Sequence, residues 1–309
     1  MSHWFFIINP TAGRRNGLRV WKSIQKELIK RKVEHRSFLT EHPGHAEVLA
    51  RQISTIQEYK LKRLIVVGGD GTMHEVVNGL KDVDDIELSF VPAGAYNDFS
   101  RGFSVKKNDL IQEIKKVKRP LTRTFHLGSV NFLQDKSQIL YFMNHIGIGF
   151  DAYVNKKAME FPLRRFFLFL RLRFLVYPLS HLHASATFKP FSLACTIEGE
   201  TQEFHDVWFA VVSNHPFYGG GMKAAPLANP REKAFDIVIV ENQPFLKKYW
   251  LLCLMAFGKH TKMDGVTMFK AKDITFYTKD KIPFHADGEI MGTTPFRLAS
   301  SPSPLRIKT

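Results

Sequence analysis

The chain is poor in cysteine, with Cys195 and Cys253 the two in 309 residues. Both sit among apolar neighbours, which argues against a disulfide-stapled scaffold and predicts free, buried thiols in a reducing compartment. No secretion signal is expected either: MSHWFFIINPTAG shows no basic opening, long apolar core or small-residue cleavage site, and reads as a first strand. The longest uncharged, apolar-leaning stretch, Phe174 to Phe188, holds a proline and two histidines and is too short and polar to cross a bilayer. No repeat, low-complexity linker, zinc pattern or recognition-helix motif is present, so no specific nucleic-acid partner is expected. Acidic residues are in deficit. The 44 Lys+Arg against 29 Asp+Glu leave +15, and such a surface attracts phosphates, nucleic acid or an anionic bilayer without choosing among them.

What is present fits two domains, with 44% hydrophobic residues to fill their cores. From WFFIINP to LSFVPAG, apolar strand runs alternate with helical patterns. That order predicts an α/β domain over 1–125, a mostly parallel sheet with flanking helices and ligands at the carboxyl ends of the strands. From about His126 the texture changes to short alternating segments such as SVNFL, SLACTIEG, VWFAVVSN and FDIVIVEN, the signature of an all-β sandwich over 126–309. Its last segment is free to return to the first domain. One helix, bracketed by Pro244 and Gly258, interrupts the strands.

Three glycine loops fall where ligands are expected. In NPTAGRRNG, Asn9 and Pro10 end a strand, Gly13 permits a tight turn, and Arg14 with Arg15 supply positive charge. In GGDGT, Gly68 and Gly69 allow close backbone approach, Gly71 can take positive φ, and Thr72 can cap a helix over 73–80. No Gly-Lys-Ser/Thr follows, so this is not a P-loop. Asp70 at its centre would repel phosphate and therefore needs a cation, a proton to accept or a structural duty. Glu75 one turn on points to Mg²⁺, which takes one or two carboxylates beside waters and phosphates. In PAGAYNDFSRGF, Gly94 gives backbone access, Asn97 and Asp98 bring an amide and a carboxylate, and Arg101 adds a cation. Each loop taken alone also reads as ordinary turn chemistry.

NPTAG, VVGGDGTMHEVVNGL, PAGAYNDFSRGF, FMNHIGIGFDA, GGGMKAAP and HADGE, in that order, resemble the diacylglycerol kinase and sphingosine kinase-like lipid kinase family, above all its soluble bacterial members. The resemblance implies a nucleotide site between an α/β domain and a β-sandwich. ATP would contact Asn9, Pro10, Thr11, Ala12, Gly13, Arg14, Thr40, Gly68, Gly69, Asp70, Gly71, Thr72 and Gly94. Glu75, Asn97, Asp98 and Arg101 would line the substrate cleft. Glu289 would accept the proton, with Asp287 as its close partner and Asp70 beside them. The residues agree in part: if HADGE is extended, Asp287 and Glu289 share a face and disfavour joint ionisation. An Asp-Gly hairpin with exposed acids is the alternative.

The implied activity is ATP- and Mg²⁺-dependent phosphate transfer to a lipid hydroxyl, at the cytoplasmic face of a membrane, with a homodimer open as an assembly. Ala95 stands where the family usually has a hydroxyl residue, and His126 where Asp is common. Glu232 and Lys233 replace the Asp-Gly of a structural Mg²⁺ loop, so Glu232 with carbonyls of Asn229 and Ala234 would be a weakened metal site. These departures keep a catalytically silent lipid-binding protein in view. An NAD kinase shares the GGDG loop but leaves the other motifs unexplained. KKAMEFPLRRFFLFLRLRF, residues 156–174, carries six Lys/Arg amid Phe and Leu and reads as an interfacial helix on anionic lipid or as one packed on the sandwich.

Overall fold

The computed structural model describes residues 3–59, 61–80, 86–117, 121–134, 139–160, 183–185, 187–301 and 304–308. The basic segment expected over 156–174 lies, from residue 161 onward, outside them. Alternation within the first strands decides the N-terminal architecture. Strand β1 (His3–Ile8) sends Phe5 and Ile7 to one face and Phe6 and Ile8 to the other, both buried. Beyond β2 (His35–Leu39), strand β3 (Lys62–Gly68) repeats this with Leu64 and Val66 against Ile65 and Val67. Runs that are apolar on both faces belong to parallel sheets covered on both sides.

Helix α1 (Ala12–Lys30) covers one face with Val20, Trp21, Ile24 and Leu28, and α2 (His45–Ser54) and α3 (Asp70–Gly79) cover the other. The parallel order is β2-β1-β3-β4, where β4 is Ile86–Pro92. Short helices α4 (Asp98–Gly102) and α5 (Asp109–Ile114) follow. The chain's last strand, β19 (Leu305–Lys308), lies between β4 and the antiparallel β5 (Thr122–Phe125).

The second sheet has eleven antiparallel strands. It begins at β6 (Gly128–Phe132), β7 (Ile139–Phe142) and β8 (His145–Gly149). After helix α6 (Phe150–Glu160) come β9 (Phe191–Ile197) and the long β10 (Glu200–Ser213). A small hairpin, β11 (Phe217–Tyr218) and β12 (Met222–Lys223), precedes β13 (Phe235–Glu241). Helix α7 (Phe245–Phe257), β14 (Val266–Ala271), β15 (Asp273–Tyr277), β16 (Pro283–Ala286), β17 (Glu289–Thr293) and β18 (Phe296–Ser300) complete it. The inner faces enclose Ile146, Ile148, Leu193, Ala210, Val212, Ile237, Phe276, Phe284 and Phe296. The opposite faces of β10 and β13 present Phe209, Val211, Val238 and Val240 to α6 and α7. The architecture is thus an α/β domain followed by an antiparallel β-sandwich.

Cys195 is buried in the sandwich, and burial pushes its thiol up to about 12. Cys253 is exposed, against the expectation of two buried thiols. Leu251 and Met255, one helical turn apart, take the inner face of α7, which turns Cys253 outward. Among the described residues no helix is long and apolar enough to cross a membrane.

At the end of β3 remote from the glycine loops, Arg63 is buried beneath the Trp4 ring, 4.5 Å from its centroid. Its guanidinium is bidentate to Glu113, with Nη2 donating to Oε2 at 2.6 Å, and also donates to Ser89 Oγ. Arg63→Met strands Glu113 and is expected to cost about 3 kcal/mol or more, whereas Arg63→Met with Glu113→Leu recovers most of it; thermal unfolding of the two variants checks this.

Candidate active site

The loops after β1, β3 and β4 face the β16–β17 hairpin and the β8–α6 junction across a cavity of about 800 Å³. The first loop is shaped by Asn9. Its Oδ1 accepts N–H bonds from Thr11 and Ala12 at 3.0 and 3.1 Å, and its Nδ2 donates to Thr72 Oγ1 at 3.0 Å, tying the first loop to the second. Gly13, Arg14 and Arg15 are all left-handed, so regular helix begins beyond them. At Gly13 (φ 53°) a Cβ would also stand 2.1 Å from the Ala93 carbonyl oxygen, so glycine is required twice over. The second and third loops touch through Gly69 and Gly94, where a Cβ on Gly94 would come within 2.5 Å of Gly69 Cα.

Asp70 turns out to have a structural duty. Its Oδ2 and Oδ1 accept the N–H groups of Asp98 and Phe99 at 3.1 and 3.0 Å, capping α4, and burial raises its pKa against the pull of those bonds. Glu75 is likewise occupied, its Oε2 accepting the Ala46 N–H at 3.0 Å at the start of α2. Among the described residues no group of three or more His, Cys, Asp or Glu is arranged to hold a metal, so a cation at Asp70 and Glu75 would need further ligands, as the expected Mg²⁺ with waters and phosphates has. Thr72 is no cap, because Gly69 is the N-cap residue and Gly71 lies within the helix. Asp98 joins the two domains: Oδ1 takes Arg101 Nη1 at 2.8 Å and Oδ2 takes the Gly220 N–H at 2.7 Å. Asn97 holds Gly94 by bonds in both directions.

HADGE forms a hairpin rather than one extended strand. Ala286 pairs with Glu289, and Asp287 and Gly288 form the turn with φ of 52° and 93°, as a type I′ connection demands. The two acids therefore part company. Asp287 is buried and takes four bonds: Oδ1 from the N–H groups of Asn144 and His145, Oδ2 from the Met143 N–H and from His74 Nδ1 at 2.9 Å. Burial alone would raise its pKa, but the His74 bond and charge overcome this and bring it down to about 2. Burial opposes charge on His74 in turn, and Asp287 raises its pKa above the ordinary value.

Glu289 reaches across the cleft, its Oε1 3.5 Å from where a Cβ on Gly71 would stand. Burial raises its pKa, the His74 charge opposes this, and the Glu75 and Asp287 charges add to it. Asn9, Thr11, Ala12, Gly13, Thr40, Gly69, Asp70, Gly71, Thr72, Glu75, Gly94, Asp98, Asp287 and Glu289 all line the cavity. Pro10, Arg14, Gly68, Asn97, Arg101 and His126 are not among its lining residues. Sequence reasoning passed over the histidines. His74 lay unremarked in the second motif. His145, kept neutral by burial with a pKa of about 4, lines the cavity with Nδ1 unpartnered among the described residues. His285 bonds Asp151 through Nε2 and accepts the Gly288 N–H at Nδ1. Part of the wall is apolar, formed by Phe150, Val154, Trp208, Leu252 and Met255.

The weakened metal site at Glu232, Asn229 and Ala234 is corrected by its donors. Lys270 Nζ stands 2.7 Å from Glu232 Oε2 and 3.7 Å from Asp236 Oδ2, so an ammonium already neutralises the loop. That bond holds the Glu232 carboxyl below its usual range. Asn229 spends Nδ2 on Glu232 and Oδ1 on the Arg231 N–H.

Residues 3–130 match the family described as diacylglycerol kinase catalytic domain, and residues 144–309 match the YegS C-terminal NAD kinase beta sandwich-like domain. The chain belongs to the diacylglycerol kinase-type lipid kinase family. It is 97% identical over 309 residues, all of both chains, to the Bacillus subtilis (strain 168) protein named "Putative lipid kinase YtlR". It is 25% identical to a Bacillus subtilis (strain 168) "Diacylglycerol kinase", covering 94% of this chain and 90% of that one. The crystal structure of a diacylglycerol kinase from Bacillus anthracis str. Sterne shares its fold, with TM-score 0.68 and 18% identity over 99% of this chain and 96% of that one.

Linkage sets the pH window of the His74–Asp287 pair. Asp287, depressed to about 2, contributes fully above its unfolded value of about 3.9 and is lost as pH falls toward 2. His74, raised, contributes fully below about 6.5 and is lost as pH climbs through its folded value. Asp287→Asn is expected to destabilise by roughly 3 kcal/mol between those limits and by less outside them, measured as denaturation midpoints across pH. At the other loop, a chelator is expected to leave the melting temperature of the wild type unchanged.

Proposed function

We propose that the protein is an ATP-dependent lipid kinase, transferring the γ-phosphate to a hydroxyl of a membrane lipid such as diacylglycerol at the cytoplasmic face of a membrane. The observation that carries this reading is the meeting, in one cavity, of three glycine loops, the Glu289 carboxylate and an apolar wall. The loops offer backbone donors that phosphate oxygens can approach closely. The apolar residues suit acyl chain and favour a lipid acceptor over a dinucleotide.

Glu289 is the group left to act as base. Asp287 is saturated by four donors, and Asp70 and Glu75 are engaged as caps. In the step proposed, the acceptor hydroxyl passes its proton to Glu289 as its oxygen bonds to the γ-phosphorus, the bond to the β-phosphate oxygen breaks, and ADP leaves. A raised carboxylate pKa brings the base nearer the working pH. His74, its pKa raised by the Asp287 bond that fixes it, holds the hairpin that aims Glu289. The nucleotide set is Asn9, Thr11, Ala12, Gly13, Thr40, Gly69, Gly71, Thr72 and Gly94, with Asp70 shaping the third loop rather than reacting.

Asp70 and Glu75, each keeping lone pairs beyond its backbone bonds, would hold Mg²⁺ brought in with a nucleotide. The ion would supply neutralisation of charge on the transferred phosphate.

A phosphate-transfer screen over extracted membrane lipids is expected to label one hydroxyl-bearing lipid class, with Glu289→Gln lowering kcat roughly 10²- to 10⁴-fold. Labelling that survives this change undiminished removes Glu289 from the role. The acid limb of kcat/KM is expected above the ordinary glutamate range. Glu75→Gln, by removing a like charge, shifts that limb to lower pH.

A further inference from the structure

Helix α7 has two apolar faces where one suffices for packing. The inner face is accounted for: Leu251 and Met255 are buried, and Leu252 and Met255 help line the cleft. On the outer face Leu246 is 82% exposed, Trp250 61% and Phe257 72%, with exposed Cys253 between them. The spacing i, i+4, i+7, i+11 puts all four on one stripe. The loop carrying Leu227, itself 78% exposed, abuts its carboxyl end, since a Cβ on Gly258 would meet Pro226 Cγ at 2.9 Å. A contiguous exposed apolar surface of this kind marks a contact site.

The charges around the stripe select its occupant. From Pro244 to Met263 the chain carries Lys247, Lys248, Lys259 and Lys262 and no Asp or Glu. With Lys248 turned inward over Trp208, a second copy docking by the same face would still bring Lys247, Lys259 and Lys262 against their counterparts, a repulsive arrangement in a two-fold interface. An anionic bilayer satisfies both features, taking apolar side chains into its interface and lysines at its headgroups. The opposite side of the same helix borders the cleft: Lys248 Nζ lies 5.1 Å from the ring centroid of Trp208, a lining residue.

The geometry points to the outer face of α7 as the surface that seats the protein on an anionic membrane, with the inner face of the same helix forming the wall past which the lipid substrate enters. The entry role rests on the lipid kinase reading; the docking does not.

The test uses the full chain without nucleotide and sedimentation with vesicles of phosphatidylcholine alone or in equal parts with phosphatidylglycerol. The wild type is expected to bind the mixed vesicles, more weakly as salt rises, and to leave the neutral ones in suspension. Leu246→Ser with Trp250→Ser, and separately Lys247→Gln with Lys259→Gln and Lys262→Gln, are each expected to weaken binding about tenfold or more. Leu246, Trp250, Lys259 and Lys262 are exposed and Lys247 is half-buried, and unchanged near-ultraviolet circular dichroism and melting temperature confirm folding. Wild-type binding by both variants overturns the proposal. So does a wild-type dimer in sedimentation equilibrium that the serine variant dissociates while vesicle binding persists. If vesicle binding follows the expected pattern while no lipid is phosphorylated, the docking surface stands and the kinase reading falls.

Discussion

Asp287 is the constraint around which the two domains are arranged. A carboxylate removed from water is tolerable only with its lone pairs filled, and four donors fill them: three consecutive backbone N–H groups of residues 143–145 and the His74 ring from α3. None of these donors is free to choose another geometry. The backbone groups precede and begin β8, and His74 sits on a helix whose start is set by the second glycine loop. One buried charge thus registers the α/β domain against the sandwich and holds the hairpin that carries Glu289. Asn78 extends the same seam one turn along α3, donating to the Tyr141 carbonyl and accepting the Tyr141 N–H, both at 2.9 Å.

The remaining acids sort by what they do for the backbone. Asp70 caps α4, Glu75 caps α2, and Asp98 clamps the Gly220 loop, so each helps fix a loop that borders the cavity. This resolves the oddity of an aspartate in the middle of an anion-binding turn. Its charge is spread over two N–H groups at the start of α4, leaving the other backbone donors of the glycine loops to a ligand. Glu289 differs because, among the described residues, no backbone N–H bonds its carboxylate and because neighbouring negative charge and burial both keep its proton affinity high. A rigid acid frame surrounding one basic carboxylate suits the proposed phosphate transfer to an alcohol.

The α/β to β-sandwich succession was legible because strands buried on both faces and strands buried on one leave different patterns, and β1 and β9 are clear cases. The glycine loops were legible as loops. Their internal wiring was not, since which hydrogen-bond donor finds Asp70 depends on where α4 sits in space. HADGE shows the limit most clearly: period-two alternation puts Asp287 and Glu289 on one face, but an Asp-Gly pair with positive φ at both residues turns the chain between them. His74 escaped notice for a related reason, as its partner lies 213 residues away. At Glu232 the motif suggested a divalent ion, whereas Lys270, brought in by the neighbouring strand β14, supplies the positive charge.

The division of labour in α7 follows from the same economy of elements. A cavity with polar loops at one border and apolar side chains at another must open somewhere for a substrate that is insoluble in water, and the helix forming the apolar border cannot be covered by protein without closing it. Leaving its outer face apolar is costly in water. The cost is offset when that face rests in a lipid interface, where the substrate is also concentrated. The lysines flanking the stripe draw it to anionic headgroups, and the overall charge of +15 acts in the same direction at longer range. On the proposed docking, attraction to the surface, seating of α7 and delivery of a hydroxyl to Glu289 would follow from one orientation of the molecule.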